Sequence, residues 1–357
     1  MIGKVRRKLI TWYGSSGLKL LILKTASRSR FLAGLWFLFK GSFGHEQRAT
    51  IAGRYQHLSE LVDGSLNGAV YTLRRNTHRL EKGLIMRPRR PTFALNYIGE
   101  TVQCFVAVKN NTAIASRNNK LVEWATDVLT QYFDVVEDDQ VIGSAREKFD
   151  SHRSPVNGDS GKIPYVRDLS QSLEISIEQL KDLAIRRRSC RWFQQKPVPR
   201  ELIDKAVEVG CYAPSACNRQ PFEFLFFDDP ELVGQVAALP GGTAGFYQNF
   251  PCILAIVGDF SAFPYDRDRH VPYIDASLAA MGLQFALEVQ GISSCCINWP
   301  DIPEKEEAVA KLLNLKIHQR VIMMMAIGYP DPTGKVPFSQ KKSLDEIRQF
   351  NEIERLN

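Results

Sequence analysis

The sequence is poor in the features that would give a simple answer. Its Phe- and Leu-rich run over 31–39 (FLAGLWFLF) holds nine residues, where a bilayer-crossing helix needs about 20. Six histidines are scattered with no H-E-x-x-H or comparable spacing, so no metal site is expected. Seven cysteines include the adjacent Cys295 and Cys296 but no C-x-x-C pair. That is not a disulfide framework, and it fits a reducing cytoplasm better than export. The glycine loop at 240–245 lacks the G-K-[ST] end of a phosphate-cradling loop and reads as a lid. Phe246 and Tyr247 beside it either line a substrate face or pack in the core, the commoner fate of aromatics. No fixed-period repeat is visible, and no carboxylate pair, Cys/His dyad or Ser/His/Asp set stands near the motifs described below. A site without its own acid, base or nucleophile points to a cofactor that carries the reaction.

What is present suffices for two folded units. The chain has 357 residues, 44% of them hydrophobic and 24% charged, enough for a sizeable core and too apolar for overall disorder. Its net charge of +7 is unevenly placed. Residues 1–56 carry eleven Lys/Arg against one Glu, a net +10, and residues 74–90 a net +6. Residues 91–357 are left at −7. The basicity therefore belongs to the N-terminal third, which argues against nucleic acid as a specific partner of the whole chain.

Residues 1–43 set apolar patches among cations. Lys4 to Lys8 resemble a signal-peptide n-region, but Lys19 and Lys24 break the apolar stretch and no A-x-A site follows. Two readings stay open for this arm. Either Trp12, Trp36, Phe37 and Phe39 sit in the headgroups of an anionic membrane without crossing it, or they pack on this chain or a partner subunit. From 44 to 150 the pattern is helical, with Leu58, Leu61 and Val62, then Leu121, Trp124, Val128, Leu129 and Tyr132, at helical steps. Arg74, Arg75, His78, Arg79, Glu81 and Lys82 lie between these, before a Gly83 stop and a Pro-rich loop. They read either as a capped helix end or as a polar grip reaching toward the second unit. Residues 151–170, rich in Ser, Gly, Pro and Asp, read as the linker, and 171–357 as the second unit.

The second unit alternates helices and strands, as a sheet covered by helices requires. Ser176 and Gln179 form a capping-box pattern before a helix with Leu180, Leu183 and Ala184 inward. Another helix starts near Arg200, with Leu202, Ala206, Val207 and Val209 inward. Strands are expected at 222–227, 253–257, 292–297 and 321–327. Asp275 is expected to open a helix with Leu278, Met281, Phe285 and Val289 inward, and Gly291 to end it.

Two motifs remain. Arg186, Arg187, Arg188, Ser189 and Arg191 crowd four guanidiniums and a hydroxyl into six residues. They are either a solvated basic helix end or a set of forks around an anion, since guanidinium matches phosphate oxygens bidentately. Downstream, Ala213-Pro214-Ser215-Ala216-Cys217-Asn218-Arg219-Gln220-Pro221 forms a turn running into alternating aromatics. Together, R-R-S-x-R followed by A-P-S-x-x-N-x-Q-P resembles the signature of the nitroreductase-like flavoproteins. The D-x-S-L-A helix and the Gly328-Tyr329-Pro330 stop are also similar to that family, and the resemblance covers roughly 175–348.

The resemblance implies an α+β fold for 171–357, a mainly antiparallel sheet flanked by helices, preceded here by a mostly helical region. It implies a homodimer with FMN held non-covalently at the subunit interface. Arg187, Ser189 and Arg191 would grip the phosphate, with Arg188 beside them through its backbone. Pro214, Ser215 and Asn218 would lie along the ring, and Gln220 would support the turn. Cys296, Asn298 and Trp299 belong to the stretch whose backbone approaches the flavin, although Cys-Ile-Asn-Trp is unusual there. Lys341 and Lys342 stand where a late basic pair completes the clamp. The implied activity is hydride transfer from NAD(P)H through FMN to an electron-poor small molecule. Two alternatives stay open: an oxidative tailoring enzyme on the same flavin, and a catalytically silent membrane-surface module.

Overall fold

Strand β1 (Phe222–Phe227) pairs antiparallel with β2 (Cys252–Asp259), β2 with β4 (Gln319–Gly328), and β4 with β3 (Ser293–Asn298). The computed structural model thus holds a four-stranded sheet in the order β1-β2-β4-β3. It describes residues 17–41, 43–63, 67–153 and 161–351, so Lys4 to Lys8 and Trp12 lie outside the described residues. Strand β2 is central and reads CILAIVGD, with seven of its eight residues buried. Such a run fits a strand covered on both faces.

Helices supply the cover. We number them α1 (Gly17–Ala26), α2 (Arg30–Lys40), α3 (Gly44–Asp63), α4 (Asn67–Leu84), α5 (Ile98–Asn110), α6 (Thr112–Arg117), α7 (Asn119–Val135) and α8 (Gln140–Asp150), then α9 (Ile177–Arg186), α10 (Arg200–Cys211), α11 (Pro230–Ala237), α12 (Val271–Val289), α13 (Pro303–Leu312) and α14 (Leu344–Ile347). One sheet face packs Ile253, Ala255, Val257 and Met324 against Val233 and Val236 of α11 and Val309 of α13. The other packs Leu254, Ile256 and Met325 against Ile203 and Ala206 of α10 and Ala276, Ala280, Leu283 and Leu287 of α12. The fold is α+β, preceded by a helical region with its own core of Leu73, Leu80, Ile98, Phe105, Leu129, Tyr132 and Phe149.

Two sequence expectations need correction here. Asp275 does not open its helix. Pro272 occupies the first turn of α12 and is compatible with it, because that position needs no amide hydrogen. Asp275 lies inside the helix and is buried. The inward face also differs: Ala276, Ala279, Ala280, Leu283 and Leu287 are buried, while Leu278 is 43% and Val289 71% exposed. Small residues let α12 approach α10 closely, and a Cβ at Gly210 would meet the Ala279 carbonyl oxygen at 3.0 Å. Of the expected stripe, Leu278 and Val289 face outward while Met281 and Phe285 are half-buried, and Val209 of α10 is exposed as well. Helix α9 has its capping box, but buries none of its side chains.

Helix α3 ties the helical region to the sheet. Gly53 sits so close to Phe260 that a Cβ would meet its carbonyl carbon at 2.6 Å. One turn on, buried His57 Nδ1 lies 2.7 Å from the Ser261 carbonyl oxygen. Tyr71 of α4 donates to Asp259 Oδ2 at 3.3 Å, and Asp259 Oδ1 accepts from Ser261. Helices α1 and α2 stand apart from this seam. No side chain of α2 is buried, and Phe31 and Phe39 are 72% and 85% exposed. Among the described residues no helix is long and apolar enough to cross a membrane.

Candidate functional site

Helix α9 ends at Arg186, and the chain then runs along the sheet edge. Ser189 bridges Ser294 of β3, and the Cys190 amide donates to the Ser294 carbonyl. This anchoring fixes where four arginines go, and they divide. Arg186 Nε donates to the buried Glu288 carboxylate at 3.3 Å, which also accepts from Ser293 Oγ. Arg188 donates to the carbonyls of Pro337 and Phe338, tying down the C-terminal segment shortly before exposed Lys341 and Lys342. Among the described residues, Arg191 reaches the Ser189 carbonyl, at 3.3 Å, and the ring of Phe246. Arg187 has a buried Nε with no hydrogen-bond partner among the described residues. Neither Arg187 nor Arg191 pairs with a carboxylate among the described residues.

These two cations stand behind β3. Burial raises the Cys295 thiol, with Arg191, Ser189 and Arg187 pulling it back. Cys296 is exposed, yet desolvation by its neighbours pushes its thiol up to about 11, Cys295 adds to this, and Arg187 opposes it. Both thiols therefore stay protonated at neutral pH, which leaves the positive charge of the arginines uncompensated. In front lies an open cavity of about 420 Å³, lined by Arg191, Phe246, Cys296 and Asn298 with Gly241 and Gly242 of the glycine loop. Trp299 leaves this stretch: its ring is buried and its Nε1 donates to Glu306 Oε1 at 2.7 Å. Only the Trp299 backbone remains for the approach expected of it.

The second motif lies elsewhere. Ser215 Oγ donates to Asp275 Oδ2 at 2.6 Å, and the Ala216 amide donates to the same oxygen at 3.0 Å. The Gln220 amide donates back to Ser215 Oγ at 2.8 Å, and Gln220 Nε2 donates to the Cys211 carbonyl. Cys217, Asn218 and Gln220 all adopt left-handed backbone, with φ of 53°, 52° and 51°. Such conformations are costly for residues other than glycine, least so for Asn. Pro214 is exposed at the rim.

The turn enters β1 at Phe222, opposite Gly258, whereas Ser189 lies beyond β3 at the end where Phe227 faces Ile253. The two motifs thus occupy diagonally opposite corners of the sheet. With strands about 4.8 Å apart and about 3.3 Å per residue, they are on the order of 20 Å apart. The geometry brings Arg187, Ser189, Arg191, Cys296 and Asn298 together. It holds Ser215, Asn218 and Gln220 in a separate network.

Comparison with known proteins now decides the family. The Nitroreductase family model matches residues 184–239 and 231–329. The chain is 30% identical over 186 residues to an iodotyrosine deiodinase of Thermotoga neapolitana, covering 45% of this chain and 94% of that protein. The chain belongs to the nitroreductase family. Other members include an NADH dehydrogenase of Thermus thermophilus, 26% identical over 191 residues, covering 45% of this chain and 91% of the relative. Among solved structures, an FMN-dependent nitroreductase from Clostridium difficile superposes with a TM-score of 0.41 at 24% identity, covering 48% of this chain and 98% of that one. The matches fall on the sheet-bearing half.

Two neighbours of the turn were not fully legible in the sequence. Asp275 was legible as part of D-x-S-L-A but not as the acceptor for the Ser215 turn. Arg74 donates from Nε to the Asn218 carbonyl at 3.0 Å and from Nη2 to Gln220 Oε1 at 2.6 Å. A grip reaching toward the second unit was one of two open readings of this segment, but its target in the 218–220 turn was not legible.

Proposed function

We propose that this nitroreductase-family oxidoreductase binds FMN and passes hydride from NAD(P)H to an electron-poor small molecule. One observation carries the reading: Arg187 keeps a buried guanidinium nitrogen without a partner among the described residues, and it shares the surroundings of Cys295 with Arg191, which lines an open cavity. A buried donor left unmade is expensive, and a phosphate supplies both the missing acceptor and the missing negative charge. Arg187, Ser189 and Arg191 would hold that phosphate. Cys296 and Asn298 would offer backbone groups to the ring edge, and Lys341 and Lys342 would add charge from the segment Arg188 anchors.

Bound FMN supplies two-electron transfer, and the chain binds, orients and shields it. The second motif, with Pro214, Ser215 and Asn218, is too far from the first to close on the same cavity within one chain. The outward stripe of α12 and the exposed α9 offer apolar area for a second copy. A homodimer in which each copy completes its partner's site accounts for both facts. The donor assignment follows the relative named an NADH dehydrogenase. The relative named a deiodinase makes halogenated aromatics one class of acceptor to test. The division at 44, 151 and 171 and a cytoplasmic setting belong to the same proposal.

Purified protein tests this. It should be yellow, release FMN rather than riboflavin on denaturation, and bleach anaerobically with NADPH or NADH. A screen of nitroaromatics, quinones and iodotyrosine should then restore the colour. Protein that is colourless and takes up no added FMN would overturn the reading, while flavin that no nicotinamide bleaches would favour the oxidative alternative.

The same proposal places α1 and α2 on an anionic membrane surface. Leu21, Ile22, Phe31, Leu38 and Phe39 are exposed, and residues 17–41 carry five Lys/Arg and no carboxylate. Each cation near such a leaflet adds on the order of 1 kcal/mol. Full-length protein should sediment with acidic liposomes, partly release in high salt, and ignore neutral ones. A Δ1–43 variant should stay in solution. No binding by the full-length chain at any salt would remove the membrane from the proposal.

A further inference from the structure

The helical region touches the sheet-bearing half at the turn that carries half of the family signature. Helix α4 lies along 216–218, and Arg74 is its point of attachment. Its two bonds reach 144 and 146 residues along the chain, one to a backbone carbonyl and one to a side chain of the same turn. The residues it grips, Asn218 and Gln220, are left-handed. Neither conformation persists unless the surroundings impose it.

The rest of the network leaves a gap that Arg74 fills. Asp275 and Ser215 hold the turn's beginning, and the Cys211 carbonyl takes Gln220 Nε2. The Asn218 carbonyl and Gln220 Oε1 point the other way, toward α4, and Arg74 is the donor they share. A guanidinium suits this task because its fork fixes two acceptors at once, which an ammonium does not. Helix α4 is itself held by Tyr71 on Asp259, and neighbouring α3 by Gly53 against Phe260. The clamp therefore rests on a rigid seam.

We propose that Arg74 is a positioning residue for the flavin site: it locks the 215–220 turn in the strained form that presents Ser215 and Asn218 to the cofactor. This makes the helical region a working part of the site. The inference rests on the flavin reading above.

The test uses full-length protein, with Arg74→Ala and Arg74→Lys compared against wild type and Arg187→Ala. Hydrogen exchange of the Asn218 and Gln220 amides, followed without cofactor, should quicken in Arg74→Ala. FMN should dissociate about ten- to a hundredfold more readily, the worth of one charge-assisted pair. The visible circular dichroism and midpoint potential of the flavin that remains should shift. Arg74→Lys should recover part of the affinity and little of the dichroism, since one ammonium holds one acceptor. A merely structural role would lower the melting temperature and leave exchange at 215–220, dichroism and potential as in wild type; that result overturns the clamp. Loss of flavin in Arg187→Ala but not in Arg74→Ala would also overturn it, with the flavin reading intact. Wild type that takes up no FMN ends both.

Discussion

Residues 74–79 hold three arginines and residues 186–191 four, and the two stretches do opposite things. In the first, every guanidinium is engaged by protein. Arg74 holds the 218–220 turn, Arg75 meets Asn76 Oδ1 and Glu100, and Arg79 lies 3.6 Å from the Tyr97 ring centroid while bonding Asn76. In the second, Arg186 and Arg188 are engaged, while Arg191 lines a cavity and Arg187 keeps a buried Nε with no partner among the described residues. Cation density therefore does not distinguish scaffold from ligand site. The supply of acceptors nearby does.

Arg320 gives the extreme of the engaged kind, and the largest expected effect. Its side chain is buried and bonds Glu306, Asp301 and the Tyr273 hydroxyl, while Glu306 also accepts from Trp299. Its guanidinium pKa is raised: burial alone would lower it, but the Glu306 hydrogen bond and the charges around it outweigh that. Glu306→Ala removes the main counter-charge and orphans the indole N–H. Breaking such a buried pair costs about 3–5 kcal/mol, readable as a lowered denaturant midpoint. A change under about 1 kcal/mol would mean water reaches the site.

Arg187→Ala or Arg191→Ala should act the other way round. With no carboxylate partner to lose, and for Arg191 only one weak carbonyl bond and a ring contact, stability should change little or rise. FMN affinity should fall by about 1.5–3 kcal/mol, roughly ten- to over a hundredfold. Equilibrium dialysis and thermal melts without cofactor measure the two halves of this statement. A variant that is destabilised yet keeps its flavin would erase the contrast between the two regions.

These contrasts show where sequence reasoning reached. All four strands and the capping box at Ser176 were legible, because alternation and caps are local. Buried alanines made the inward face of α12 hard to read: its bulky stripe looks like core, yet the small residues are what close approach to α10 requires. Gly83 was read as a helix stop, but α4 runs to Leu84 and the glycine admits the Phe93 ring, which a Cβ would meet at 2.2 Å. The grip of Arg74 on Gln220 was only half visible. Its reach toward the second unit was one of two open readings, but a target 146 residues away has no local signal.

The smallest expected effect sharpens the seam itself. Desolvation holds the His57 pKa below its usual 6.5, helped by Arg219 and Arg75 and opposed by the Ser261 carbonyl. A carbonyl only accepts, so the neutral ring donates from Nδ1. As pH falls below about 6.5, the unfolded chain takes up a proton that folded His57 refuses. Stability should therefore be flat above that pH and decline below it. His57→Gln should remove this part of the slope in melts between pH 7.5 and 5.5. An unchanged slope would place the pH sensitivity elsewhere.

The diagonal placement of the two motifs has a genetic consequence. If each site draws Arg187 from one copy and the 215–220 turn from the other, a variant broken at Arg187 and a variant broken at the turn are defective in different halves. A mixed dimer then carries one site with both lesions and one with neither. Random reassortment makes about half of all dimers mixed, so about a quarter of all sites are whole. Two dead proteins, unfolded and refolded together, should recover about that fraction of flavin binding.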